Sequence, residues 1–229
     1  DEYDLIEKAG AHIAHAVRRK KESRTVLFFC GKGNNGADGL AAARQLANTH
    51  VCIALVFAKK EAVSGAAGRH LQAAMDQGVF VQFITQEAQL DEIDMPKCDI
   101  AVDALLGTGA THPPQGLIAQ AVDTINALGC PVIAVDISTG IMPASGEVPG
   151  VCVQADETIT MQGLKPGLLL YPGVEYAGKI EIAYAFETDY LPRRKRVLFN
   201  SADIRPLIRK RNSHKGSYGK LGIIAGSEG

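Results

Sequence analysis

Hydrophobic and polar positions along the chain fall into two alternating kinds of stretch. Short, nearly unbroken apolar runs stand at residues 25–30 (TVLFFC), 51–57 (VCIALVF), 79–84 (VFVQFI), 99–102 (DIAV) and 131–135 (PVIAV). Longer stretches with helical periodicity separate them, at 4–20, 37–50, 64–77 and 115–128. Apolar runs of this length read as strands, and strands without polar alternation need cover on both faces, as in a parallel sheet. In the first helical stretch Leu5, Ala9, Ile13 and Val17 recur every four residues and are expected to form its packed side. Two further strands are expected at 157–161 (ETITM) and 179–183 (KIEIA). The rhythm is βαβα, which predicts an α/β fold with a mostly parallel sheet between layers of helices.

The residues with chemistry to offer gather at the carboxyl ends of the strands. After the first strand comes Gly31-Lys32-Gly33-Asn34-Asn35-Gly36-Ala37-Asp38-Gly39, with four glycines in nine residues. Such a loop is expected to turn through positive φ and to present bare N–H groups at a helix N-terminus, which suits a phosphate. Plain structural punctuation is the alternative. The glycines satisfy G-x-G-x-x-G, but the acid that a dinucleotide fingerprint carries about 20 residues later is absent, since that region reads Val56-Phe57-Ala58-Lys59-Lys60. The ordinary fingerprint therefore leaves Asn34, Asn35 and Asp38 unexplained, unless they are turn formers.

Two later strands end in aspartate. Asp103 follows 99–102 beside a second glycine turn, Gly107-Thr108-Gly109, and Asp136 follows 131–135 and leads into Ile137-Ser138-Thr139-Gly140. In open α/β sheets ligands bind beyond the carboxyl ends of the strands. Two carboxylates in one such crevice repel unless a cation or a held proton relieves them, so a bound cation or acid-base work is expected. Asp103 has the alternative of capping its own turn. Lys165, after the sixth strand, either reaches the crevice or faces solvent. His112 is expected in an exposed loop, and His12 with His15 lacks a further ligand to complete a metal site.

Composition narrows the classes. The chain has 229 residues, 46% hydrophobic and 21% charged, with formal net charge −1. No apolar run approaches the ~18 residues of a membrane span. Five cysteines, with no C-x-x-C pair, read as small buried residues in a reducing compartment, so the chain is expected in the cytoplasm. From Arg193 to Lys220 there are ten Lys/Arg against one acid, Asp203. Aromatic platforms are sparse there, which favours a solvated linker over a nucleic-acid surface. Residues 213–229, a glycine-punctuated run into an apolar strand at 221–225, read as the opening of another α/β domain.

Four motifs, Gly33-Asn34-Asn35-Gly36-Ala37-Asp38-Gly39, Val102-Asp103-Ala104-Leu105-Leu106-Gly107-Thr108-Gly109, Val135-Asp136-Ile137-Ser138-Thr139-Gly140 and Leu164-Lys165-Pro166-Gly167, stand in this order. Together they resemble the YjeF N-terminal domain, the NAD(P)H-hydrate epimerase family, over about residues 5–191. The resemblance implies a Rossmann-like three-layer αβα sandwich over residues 1–200. Residues 201–229 would be a linker and the start of a ribokinase-like, ADP-dependent dehydratase domain. The implied reaction interconverts the epimers of NADHX or NADPHX, cofactors hydrated at the ring carbon beside the nitrogen. The implied substrate residues are Asn34, Asn35, Gly36, Ala37 and Asp38, then Gly107, Thr108, Gly109, Ala110, Thr111, His112 and Pro113, with Asp136. One potassium ion per subunit is implied, held by Asn35, Asp103 and Thr139. Epimerisation at a carbon bearing hydroxyl and nitrogen needs proton transfer, and Asp103 and Asp136, with Lys165 as partner, are the expected acid-base groups. A homo-oligomer is expected. The rival readings are a non-catalytic nucleotide-binding module of the same fold, disfavoured by the retained acids, and a nicotinamide oxidoreductase, disfavoured by the missing acid after the second strand.

Overall fold

The computed structural model describes residues 1–185, which lie within one compact unit. The basic stretch from Arg193, the linker and the dehydratase start expected at 201–229 lie outside the described residues. Seven strands form one sheet: β1 (Thr25–Cys30), β2 (Val51–Val56), β3 (Phe80–Phe83), β4 (Ile100–Ala104), β5 (Val132–Val135), β6 (Glu157–Met161) and β7 (Lys179–Ala183). Their order is β3-β2-β1-β4-β5-β6-β7, and every pairing is parallel. The helices are α1 (Glu2–Arg18), α2 (Asn34–Leu46), α3 (Gly65–Asp76), α4 (Glu87–Asp91) and α5 (Leu117–Ala127).

Side chains on successive strand positions point to opposite faces, and the core divides accordingly. Val26, Phe28 and Cys30 of β1 pack with α1, α2 and α3, while Leu27 and Phe29 pack with α4 and α5. Strand order reverses direction between β1 and β4, so a crevice opens beyond the carboxyl ends of those two strands. That switch point is where the Gly31 loop and Asp103 meet.

Several boundaries differ from the sequence expectation. α1 begins at Glu2, because Asp1 and Asp4 form a reciprocal capping box. Its packed side runs through Ile6, Ala9, Gly10, Ile13 and Val17, while Leu5 stays 40% exposed. A strict four-residue spacing drifts by about 40° per step on a helix of ~3.6 residues per turn, so Leu5 rotates off the stripe. A Cβ at Gly10 would lie 2.6 Å from the Ala41 Cβ, so this glycine sets the close approach of α1 and α2. The five-residue α4 is too short to declare itself by periodicity.

Candidate active site

α2 begins at Asn34, so Asn34, Asn35 and Asp38 belong to the helix rather than to a loop before it. Gly33 is its N-cap and supplies no side-chain bond, which leaves the first-turn N–H groups directed at the crevice. The glycines here do not work as expected: positive φ occurs at Gly65, Gly116 and Gly140 among others, and at none of Gly31, Gly33, Gly36 or Gly39. They serve close approach. A Cβ on Gly36 would fall 1.8 Å from the Gly31 carbonyl oxygen, and one on Gly31 would fall 2.1 Å from that of Leu105. The helix N-terminus is thereby seated on the backbone of the loops after β1 and β4.

A cleft of about 760 Å³ lies over this junction. Asn34, Asn35, Asp38, Gly107, Thr108, Gly109, Ala110 and Asp136 line it, all expected from the sequence. Gly36 and Ala37 are buried behind the wall, and Thr111, His112 and Pro113 are not among the lining residues. Lys32, Phe57, Ile118 and Met161 line it without having been anticipated. Phe57 directly follows β2 and was accessible to the strand-end rule, whereas Ile118 arrives on α5 with no local signal.

The two strand-end aspartates differ. Asp103 lies inside β4, which continues to Ala104, and it is fully buried. Its Oδ2 accepts from Thr139 N–H at 2.8 Å, and its Oδ1 accepts from the Thr139 hydroxyl at 2.7 Å and from Leu105 N–H at 3.2 Å. Burial pushes its carboxyl up to about 6, against the pull of those donors. Asp103 does not line the cleft, so the expectation that it transfers a proton directly to a ligand fails on access.

Asp136 follows β5 in the left-handed region, at φ 67°, which is unusual for a non-glycine residue. Its own N–H is tied to Ile159 O at 2.8 Å, and its carboxylate turns into the cleft. Thr108 N–H donates to Oδ2 at 3.4 Å, Met161 N–H donates to Oδ1 at 3.1 Å, and Lys165 Nζ forms a short ion pair with Oδ1. Lys165 also donates to Thr160 Oγ1 at 2.9 Å and Met161 O at 2.7 Å, which settles it as a partly buried partner of Asp136. Asp38 lines the same cleft, and burial and the nearby Asp136 charge raise its carboxyl to about 8.

Asn35 sits beside Gly107, where an added Cβ would be 3.0 Å from Asn35 Oδ1. The other end of its amide, Nδ2, is buried without a hydrogen-bond partner. Leu106 N–H donates to Thr139 Oγ1 at 3.1 Å, so Asn35, the Leu106-Gly107 turn, Thr139 and Asp103 form one contiguous patch. No group of three His, Cys, Asp or Glu able to hold a metal occurs among the described residues. His12 is partly exposed and His15 exposed on α1, and His112 is exposed. All five cysteines are free, although Cys98 and Cys130, distant in sequence, bring their sulfurs within 3.4 Å. None of the described helices is long and apolar enough to cross a membrane.

Comparison with known proteins adds a family and two kinds of relative. The model of the YjeF-related protein N-terminus matches residues 2–167. A protein of Thermofilum pendens named bifunctional NAD(P)H-hydrate repair enzyme Nnr is 35% identical over 227 residues, covering 97% of this chain and 43% of the relative. A protein of Rhodopirellula baltica named NAD(P)H-hydrate epimerase is 34% identical over 180 residues, covering 78% of this chain and 72% of the relative. The chain thus spans less than half the length of the bifunctional relative. The crystal structure of yeast ynu0, YNL200c, superposes with TM-score 0.65 at 22% identity, covering 73% of each chain, and shares the fold.

Proposed function

Because this chain belongs to the family of YjeF-related N-terminal domains, we propose that it is an NAD(P)H-hydrate epimerase, an isomerase that interconverts the R and S forms of NADHX and NADPHX. The observation that carries this reading is the paired construction of the cleft, an uncapped α2 N-terminus on one side and the ion-paired Asp136 on the other. The free N–H groups and the positive end of the helix suit the diphosphate of a dinucleotide. The carboxylate suits the hydrated ring carbon, whose hydroxyl must exchange a proton for the centre to invert. A volume near 760 Å³ falls in the range of small-molecule sites.

The patch behind the cleft wall suits a potassium ion. A carboxylate buried with three hydrogen-bond donors but no cationic side chain retains uncompensated charge, and among the described residues Asp103 is in that position. A half-turn of the Asn35 amide exchanges its partnerless nitrogen for an oxygen. Asn35, Asp103 and Thr139 would then offer amide, carboxylate and hydroxyl oxygens to one hard monovalent ion. Bound there, the ion supplies positive charge. The chain's own residues orient the substrate and move protons at its ring.

The bifunctional relatives are more than twice as long as the matched stretch, and beside a dehydratase domain such as residues 201–229 resemble, this domain would make both epimers available for repair. The free cysteines favour work in the reducing cytoplasm. The test is to incubate the purified chain with one separated epimer and follow the other by chromatography against a protein-free control. Equilibration faster than the control is expected, and binding without any acceleration would assign the chain to a non-catalytic module instead.

A further inference from the structure

Two carboxyl groups face the cleft, and they are held in opposite ways. Asp136 is pinned by Lys165 and by the N–H groups of Met161 and Thr108. Asp38 makes no hydrogen bond or ion pair with any described residue. It is the fifth residue of α2, beyond the first-turn positions at which a carboxylate finds unsatisfied helix N–H groups. Aspartate is also a weak helix former at an interior position. A carboxyl so placed gains nothing from the fold, which leaves a ligand as its partner.

The electrostatics sort the pair. With Lys165 beside it, Asp136 has its counter-charge supplied by the protein. Asp38 has none, and its burial and the Asp136 charge keep its proton on to about pH 8. A carboxylate ion-paired to a lysine beside a carboxyl that no described residue bonds is the arrangement of a base and an acid in one site. Lys32 is the other charged side chain on the cleft wall, and it is exposed.

Resting on the epimerase reading, we propose that Asp38 is the catalytic proton donor of the reaction and Asp136 its acceptor. Asp136 takes the proton from the hydroxyl on the hydrated ring carbon. The carbon–oxygen bond becomes a carbonyl as the carbon–nitrogen bond breaks. The electron pair of that bond goes to the ring nitrogen, which receives the Asp38 proton. The freed aldehyde rotates, the nitrogen closes on its other face, and both proton transfers reverse. Every atom and electron is returned, and no oxidant or added water is consumed.

The experiment uses Asp38→Asn, which keeps the shape of the side chain but has no transferable proton, together with Asp38→Ala assayed with and without formate. Asp38→Asn is expected to lower kcat for epimer exchange by about 100-fold or more while substrate affinity changes by less than about threefold. Formate, a small acid able to enter the vacated space, is expected to restore exchange in Asp38→Ala by roughly tenfold or more. A kcat near the wild-type value with a raised KM would make Asp38 a binding residue and overturn the assignment, as would Asp38→Ala insensitive to formate. A wild-type chain with no exchange would instead sink the epimerase reading itself. The two failures are therefore distinguishable.

Discussion

The ends of β4 and β5 carry the same written signal, an apolar strand closing on Val-Asp followed by a glycine turn, and they are built for different work. At β4 the aspartate sits within the strand, fully buried, with its oxygens given to Thr139 and Leu105. At β5 it sits one residue past the strand, in a left-handed conformation, with its carboxylate in the cleft against Lys165. Two residues of strand length therefore separate a buried carboxylate held by its own strand-end neighbours from one that opens into the cleft. The β5 arrangement is also the strained one, since a non-glycine residue in that backbone region costs on the order of 1 kcal/mol.

This contrast breaks first at Asp136. Asp136→Asn is expected to reduce epimer exchange by about 100- to 10,000-fold, with a thermal melt close to that of the wild type. A large loss of stability together with activity would erase the distinction from Asp103. The converse change, Asp103→Ala, strips the partner from two buried N–H groups and a hydroxyl, each costing roughly 1–3 kcal/mol when left unpaired. Its melting temperature should fall by about 10–20 °C, read by calorimetry. Potassium should raise the melting temperature of the wild type and leave that of Asp103→Ala unmoved.

At Asp38 the contrast is read through the pH dependence of stability. Its folded carboxyl titrates near 8, above the ordinary 3.8, so the folded state holds a proton that the unfolded chain has released. Its stabilising effect is full below about pH 4 and is lost as pH rises towards 8. Stability measured by urea titration should show a decline over that window that is smaller in Asp38→Asn. An unchanged profile would mean that neither burial nor the Asp136 charge raises the Asp38 carboxyl. The smallest effect belongs to Thr139→Ser, which keeps the hydroxyl on Asp103 and removes one methyl group. It should cost less than about 1.5 kcal/mol and retain potassium stabilisation, whereas Thr139→Val should lose the latter.

The sheet was legible because continuous apolar runs admit few other readings: β1, β6 and β7 appear at the residues expected, and the remaining strands within two. What stayed hidden depends on distant partners. The depth of Asp103 turns on where β4 stops relative to β1 and β5, and local pattern does not resolve strand ends to one residue. The use of Gly31 and Gly36 as contact points is set by Leu105 and by the loop itself, so the sequence advertises glycine without its purpose. Lys165 reaches Asp136 only because the chain folds back after β6, which periodicity does not report. The lining residues from α2 and the two glycine turns were readable because strand-end loops converge by topology.

Division of labour between the two aspartates is best tested by one diffraction experiment, on crystals of the chain grown with a nicotinamide dinucleotide and soaked in thallium(I), a heavy stand-in for potassium. A single strong anomalous peak is predicted among Asn35, Asp103 and Thr139, with the nicotinamide ring against Asp136. A peak at Asp136 with none at Asp103, or a ring bound away from both, would contradict that division.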